Sequence, residues 1–149
     1  VSDVRENILF NLKKRFSAAG INNYKSFLAD LSNSKQAIPA ESFDLIIADV
    51  PCSGSGTWSR TPEQLYYFEP AKIDEYAKLQ KSILNNVIVA MKTGGYFLYI
   101  TCSVFKKENE DAVNFLLEKI NLKVLKMELL KGYELKADTM FVALLQKQL

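Results

Sequence analysis

A short apolar segment that ends in an acid and a thiol constrains the fold of this chain more than any other feature. Residues 45–48 form an uninterrupted apolar run, and Asp49, Pro51 and Cys52 follow it. Such runs are typical of central strands that are covered on both faces of a sheet. Pro51 has no backbone donor and would end the strand. Because ligands bind at the carboxyl ends of strands in open α/β sheets, we expect Asp49 and Cys52 to belong to a functional site.

The rest of the chain alternates between strand and helix patterns. Helices are predicted over residues 5–19, 71–91 and 108–120. Strands are predicted over residues 1–4, 24–29, 43–49 and 96–101, with a closing antiparallel pair over 122–130 and 139–145. Residues 50–70 are predicted to be a long irregular loop, because glycine and proline recur there. This alternation predicts one α/β domain over residues 1–149, built as a doubly wound sheet.

The residue counts exclude several classes of protein. The chain has two cysteines and no histidine, which excludes His-based catalysis and leaves too few ligands for a zinc site, so no metal is expected. Two cysteines fifty positions apart do not form a disulfide scaffold, so a reducing, cytoplasmic location is expected. We expect no membrane association, since no apolar run is long enough to span a bilayer. A net charge of +2 does not by itself predict nucleic-acid binding.

The two thiols are the second candidate feature of a site. Cys52 and Cys102 each follow a predicted strand, so both sulfurs would face one crevice if those strands are neighbours. Thiolate chemistry needs a lowered pKa, and without histidine the candidate activators are Arg60, Lys106, Lys107, backbone amides or groups outside this chain. The alternatives are unreactive buried cysteines or a disulfide between adjacent strands.

Three predicted strands end in an acid, namely Asp3, Asp30 and Asp49. In a Rossmann-like sheet, an acid after a strand commonly holds the ribose hydroxyls of a nucleotide. A further acid can accept a hydrogen bond from an adenine amino group. Aspartate is also common at strand ends and helix caps, so both interpretations stay open for any one of the three.

At these positions the sequence resembles the Sun/RsmB (NOL/NOP/Sun) family of RNA 5-methylcytosine methyltransferases, which use S-adenosylmethionine. The matching segments are Asp49-Val50-Pro51-Cys52-Ser53-Gly54-Ser55-Gly56-Thr57, Lys92-Thr93-Gly94-Gly95, Thr101-Cys102-Ser103-Val104, Glu108-Asn109-Glu110 and, more weakly, Phe141-Val142-Ala143-Leu144-Leu145. Together they extend over nearly the whole chain, and the two cysteine motifs in this order are specific. The resemblance implies a Rossmann-like, S-adenosylmethionine-dependent methyltransferase fold.

The resemblance also implies a role for each candidate residue. Cys102 would be the nucleophile that adds to C6 of cytosine, and Cys52 would assist release of the product by β-elimination. Asp49 would lie between cofactor and base, Asp3 would hold the ribose of S-adenosylmethionine, and Asp30 would lie near its adenine. The implied substrate is RNA, in particular ribosomal RNA. Candidate RNA contacts on the long loop are Trp58, Arg60 and Tyr66.

The family pattern also leads us to expect a truncated catalytic domain. In the family, a first strand and a glycine-rich cofactor loop would precede Val1. Without them, the chain alone is expected to be inactive, and two inner strand edges would be open to self-association. The alternatives are a non-catalytic RNA-binding domain of the same fold and an exocyclic-amine nucleic-acid methyltransferase. The second has Asp/Asn-Pro-Pro-aromatic where this chain has Asp49-Val50-Pro51-Cys52.

Overall fold

A computed structural model describes residues 1–33 and 38–149 of the chain. The backbone contacts divide it into two compact units, residues 1–37 and 38–149, and each unit is described by itself. That all 149 residues act as one domain stays a prediction. In the part of the chain described, no helix is both long and apolar enough to cross a bilayer.

The first unit is a small β-α-β arrangement. Strand β1 (Ser2–Asp3) and strand β2 (Phe27–Leu28) pair in parallel, and helix α1 (Glu6–Ala18) connects them. Leu9 is buried on α1, and Gly20 follows the helix with a φ of 70°, a left-handed conformation that glycine adopts at helix ends. The predicted helix is confirmed to within one residue at each end. The strand predicted over 24–29 is shorter than expected.

The second unit is built on a four-stranded sheet. Its strands are β3 (Phe43–Asp49), β4 (Met91–Thr101), β5 (Leu122–Leu130) and β6 (Met140–Lys147), in the spatial order β3-β4-β6-β5. β3 and β4 are parallel, whereas β6 is antiparallel to both β4 and β5. The predicted closing antiparallel pair is therefore confirmed. β4 begins earlier than predicted and includes Gly94, whose φ of 78° coincides with an irregular register against the start of β3.

Three helices accompany this sheet. They are α2 (Pro62–Tyr66), α3 (Ala71–Val87) and α4 (Glu110–Lys119), with single 3₁₀ turns at Ser55–Thr57, Ile88–Ala90, Lys106–Glu108 and Gly132–Leu135. The prediction of an irregular loop over residues 50–70 was therefore partly wrong. Pro62 lies in the first turn of α2, where its missing N–H costs no helical hydrogen bond, so this proline starts a helix.

The core of the second unit lies on one face of the sheet. Alternate residues of β6 are buried, namely Phe141, Ala143 and Leu145, as expected for a strand with one covered face. Phe97 and Tyr99 of β4 are fully buried as well. The helices complete the core with Leu84 and Val87 of α3 and with Ala112, Val113 and Leu116 of α4.

The prediction that residues 45–48 are covered on both faces of a central strand was wrong. β3 lies at the edge of its sheet, and Leu45 and Ile47 are 51% and 61% exposed. Its apolar composition satisfied the rule for buried strands, but burial depends on which elements lie over the strand. The sequence pattern carries no information about them.

We predict that Gly56→Ala destabilises the second unit through a steric overlap. A Cβ atom at Gly56 would lie 2.0 Å from the Thr139 carbonyl oxygen and 3.0 Å from the Cys102 carbonyl oxygen. We expect the free energy of unfolding to fall by about 3 kcal/mol, as for severe overpacking, measured by denaturant unfolding. Gly94→Ala is the matched control, since it meets no atom within 4 Å and costs only the left-handed backbone conformation. Equal losses in the two variants would contradict the steric explanation.

Candidate active site

The parallel pairing of β3 and β4 brings the two cysteines together. Asp49 of β3 is in register with Ile100 of β4, so both strands end at the same edge of the sheet and deliver Cys52 and Cys102 there. The two sulfur atoms lie 3.3 Å apart, and both thiols are free and half-buried. A disulfide would need about 2.05 Å between the sulfurs. The expectation that the two strands bring the sulfurs together is therefore confirmed, and the disulfide alternative does not describe this structure.

The backbone of both cysteine segments is held by direct hydrogen bonds. The Gly56 N–H donates to the Cys102 carbonyl at 2.8 Å, and the Thr139 N–H donates to the Gly56 carbonyl at 2.9 Å. From α3, the fully buried Gln80 donates its Nε2 to the Pro51 carbonyl at 2.9 Å. These bonds hold the sulfur atoms at a preset separation.

A second set of bonds braces the segment that follows β4. The Thr101 hydroxyl donates to Asn109 Oδ1 at 2.6 Å, and Asn109 Nδ2 donates to the Ser103 carbonyl at 2.9 Å. Glu108 is fully buried beside them and accepts hydrogen bonds from Ser53 and Ser103. Glu108 belongs to one of the motif segments, but its sequence position alone predicted no role for it. The signal that could have found it is the Cys-Ser dipeptide, which occurs at both cysteines.

The contact between the sulfurs changes the acidity of both thiols. The two sulfurs share a hydrogen bond, in which Cys52 is the donor once Cys102 ionises. This bond lowers the pKa of Cys102 to about 7 against the opposing effects of burial and of the Asp49 charge. The same hydrogen bond, together with burial, raises the pKa of Cys52. Cys102 is therefore the more acidic of the two thiols and ionises first, while Cys52 keeps its proton.

The activating group is thus the second thiol, which the sequence analysis did not consider as an activator. The three cations proposed there have other partners in the part of the chain that the structure describes. Arg60 pairs with Asp138 at 2.7 Å and Lys107 pairs with Asp74 at 2.6 Å, while Lys106 lies 3.9 Å from Asp111. All three lysine and arginine side chains are mostly exposed.

Asp49 is the carboxyl group at the end of β3. The residue is exposed at the sheet edge, and partial desolvation raises the pKa of its carboxyl above the ordinary value. Its charge disfavours ionisation of Cys102, so the two groups lie close enough to interact. Asp49 therefore places a carboxyl group within electrostatic reach of the Cys102 thiol.

The other two predicted acids belong to the first unit. Asp3 ends β1 and Asp30 follows β2, so both lie at the carboxyl end of a parallel pair, as predicted. The Asp3 carboxylate accepts hydrogen bonds from the backbone and guanidinium of Arg5, and these bonds lower its pKa. Asp30 Oδ1 accepts from the Ser32 N–H and hydroxyl at 3.0 and 2.6 Å.

The three candidate RNA contacts have different surroundings. The Trp58 ring packs against Phe68 and Phe105, with ring centroids 4.8 and 6.0 Å apart, so it is part of an aromatic cluster. Arg60 holds Asp138 through two hydrogen bonds of 3.1 and 2.7 Å. Tyr66 is 83% exposed at the end of α2.

We predict that Cys102 alkylation reports the contact between the sulfurs. Its rate should be half-maximal near pH 7 and rise with pH, because the thiolate is the reactive form. In Cys52→Ala the donor is lost, so the midpoint should rise by about one pH unit or more, towards the ordinary cysteine value. Peptide mass spectrometry after iodoacetamide treatment measures this, with Cys52→Ser as a control that keeps a donor. A midpoint unchanged in Cys52→Ala would show that the second thiol does not activate the first.

Comparison with known proteins gives relatives for nearly the whole chain. The family model described as 16S rRNA methyltransferase RsmB/F matches residues 2–147. A protein of Coxiella burnetii named probable ribosomal RNA small subunit methyltransferase B is 33% identical over 113 residues, which are 74% of this chain and 26% of that protein. A mouse 28S rRNA (cytosine-C(5))-methyltransferase is 38% identical over 96 residues, covering 62% of this chain and 12% of the mouse protein.

Solved structures show which fold the chain shares with known proteins. The crystal structure of a protein designated PH0851 is 30% identical with a TM-score of 0.91, covering 98% of this chain and 36% of that one. NSun6 from Pyrococcus horikoshii, crystallised with SFG, has a TM-score of 0.83 at 22% identity, covering 98% of this chain and 40% of that one. The methyltransferase fold class is therefore confirmed. The chain spans about a quarter of the Coxiella burnetii protein and less of the mouse protein. It belongs to the RsmB/F family of rRNA methyltransferases.

Proposed function

We propose that the full-length protein methylates C5 of a cytosine in RNA, with ribosomal RNA as the substrate. The observation that carries the proposal is the pair of free thiols whose sulfur atoms lie 3.3 Å apart at the ends of two neighbouring parallel strands. Relatives named as small-subunit and 28S rRNA methyltransferases support the substrate class. Because the chain spans only part of their length, the activity is proposed for the whole protein.

Cys102 is the proposed nucleophile. C5 of cytosine is a poor nucleophile while the C5–C6 double bond is intact. When the Cys102 thiolate adds to C6, a sulfur–carbon bond forms and the electron pair of the double bond moves towards C5. A pKa of about 7 suits this step, since the thiolate is abundant at neutral pH yet remains a strong nucleophile.

Cys52 is proposed to assist release of the product. After methylation, the C5 proton must leave so that the double bond reforms and the Cys102 thiolate is expelled. Before the reaction, the hydrogen bond to Cys102 raises the pKa of Cys52 and keeps its proton in place. Once Cys102 is a thioether, that sulfur is a poor acceptor, so the main cause of the raised pKa is gone. Cys52 then gives up its own proton to water more readily, and the resulting thiolate can accept the C5 proton.

The chemistry of the acids fits S-adenosylmethionine. Its ribose hydroxyls and amino groups are hydrogen-bond donors, and Asp3, Asp30 and Asp49 offer acceptors at the carboxyl ends of strands. Asp3 would hold the ribose, Asp30 would lie near the adenine, and Asp49 would lie between cofactor and base. To bind the ribose, Asp3 would exchange its ion pair with Arg5 for the ribose hydroxyls. The Arg5 side of this pair is exposed, so the pair opposes the exchange only weakly. When bound, the cofactor supplies an electrophilic methyl group.

The target base must leave its stack to reach the thiols. Tyr66, Trp58 and Arg60 on the long loop are the proposed RNA contacts. Tyr66 is the more exposed of the two aromatic residues among them. The expected cytoplasmic location and the expected self-association through open strand edges stay predictions. The non-catalytic and exocyclic-amine alternatives stay as outcomes of the test below.

We predict that Cys52→Ala traps a covalent complex between the full-length protein and its RNA. Addition of Cys102 to C6 can still occur, but release is impaired, so a band that survives denaturing electrophoresis should accumulate with ribosomal RNA and S-adenosylmethionine. The reaction is run at pH 8.5, where a cysteine of ordinary pKa is about half ionised even without its partner. Cys102→Ala should give no such band and no methylated RNA.

The double variant Cys52→Ala/Cys102→Ala is the control for adducts that do not involve this pair. An adduct that persists in Cys102→Ala would overturn the assignment of the nucleophile. Nucleoside mass spectrometry separates the remaining cases. Methylation of an exocyclic amine without an adduct would favour the alternative enzyme class. RNA binding without any methylation by the unaltered protein would favour a non-catalytic domain.

A further inference from the structure

A single buried carboxyl group connects the two cysteine segments. Ser53 directly follows Cys52, and Ser103 directly follows Cys102. Glu108 accepts hydrogen bonds from both serines: from the Ser53 N–H at 2.8 Å, from the Ser53 hydroxyl at 2.7 Å and from the Ser103 hydroxyl. Its side chain is fully buried. The residue after each thiol is thus bonded to the same group.

Glu108 is itself held in place. The Tyr99 hydroxyl donates to its carbonyl at 2.6 Å, and its own N–H donates to the Phe105 carbonyl at 3.0 Å. Tyr99 is fully buried in the core of the sheet. The carboxyl group is therefore anchored to the same strand that delivers Cys102, and its bonds to Ser53 reach across to the segment after β3.

We propose that Glu108 is a positioning residue that sets the separation of the two thiols through Ser53 and Ser103. The claim about the thiols rests on geometry alone, and its consequence for methylation rests on the proposed function. A buried carboxyl group is costly to desolvate and is weak evidence for stability. Three donors from two separate segments converge on it, so its contribution is to fix those segments relative to each other.

The chemistry of the three donors explains why a carboxyl group is needed. Both oxygens of a carboxylate accept hydrogen bonds, so one side can take the Ser53 N–H while the other takes the two hydroxyls. Glutamine has the same shape but can accept on one side only. Ser55 adds a link, since its hydroxyl contacts Ser103 at 3.3 Å and accepts from the Val104 N–H at 2.9 Å.

If the hydrogen bonds between Glu108 and the two serines are weakened, the pKa of Cys102 should change. The groups that face its thiol are Cys52, the carboxyl groups of Asp49 and Asp138, and the Arg60 guanidinium that pairs with Asp138. Both carboxyl groups oppose ionisation, whereas the Cys52 hydrogen bond is the largest effect that favours it. If the sulfurs move apart, that bond weakens first and Cys102 becomes less acidic.

The test compares Glu108→Gln with Glu118→Gln, an exposed glutamate on α4 that serves as the matched control. Iodoacetamide alkylation of Cys102 is followed by peptide mass spectrometry between pH 5 and pH 10, and folding is checked by circular dichroism. We expect Glu108→Gln to move the midpoint upward by about one pH unit and to lower the rate at pH 7 about fivefold to tenfold. Glu118→Gln should match the unaltered protein.

A folded Glu108→Gln protein with an unchanged midpoint would overturn the proposal. Because Glu108→Gln is a change in the core, Ser103→Ala provides a second variant that leaves the carboxyl group in place. It removes the Ser103 bond to that group together with the Ser103 contacts to Ser55 and the Phe105 N–H. It should shift the midpoint in the same direction, and an unchanged midpoint there would also count against the proposal. A shifted midpoint in a protein that never methylates RNA would support the role of Glu108 while refuting the proposed function.

Discussion

A hydrogen bond between the Cys52 and Cys102 sulfurs sets the acidity of both thiols at this site. The bond separates the acidities of two residues of the same type, because it lowers the pKa of Cys102 and raises the pKa of Cys52. In the proposed mechanism, such a pair would supply a nucleophile and a proton carrier in a single contact. Its effect depends strongly on distance, and the surrounding structure must therefore hold the sulfurs together.

The surroundings of the pair are consistent with that requirement. Gly56 allows the segment after β3 to approach the backbone of Cys102 and Thr139 so closely that a Cβ atom would not fit. Gln80 holds the Pro51 carbonyl from α3, and Glu108 bonds to the residue after each cysteine. Three independent elements therefore restrain the same short distance. None of these groups is a cation. The pKa of Cys102 is therefore lowered by a hydrogen bond from a second thiol and not by a neighbouring lysine or arginine.

Much of the fold could be predicted from local patterns, and the errors have physical causes. Helix α1 and the β5–β6 pair were predicted closely, since amphipathic periodicity and chain proximity determine them. The prediction for β3 was wrong in its burial, because Leu45 and Ile47 lie on an edge strand and stay exposed. Pro62 was interpreted as part of an irregular loop, although proline in the first turn is compatible with a helix.

The sequence by itself determined which groups are available: two thiols at strand ends, three acids at strand ends, and no histidine. It also determined the family, because two cysteine motifs in a given order are specific. The tertiary structure alone decided how Cys102 is activated, since the Cys52 thiol acts over 3.3 Å between residues fifty positions apart. It likewise decided the place of Glu108, which meets Ser53 from a different segment. Hydrogen bonds depend on distance and direction in space, and strand pairing sets both.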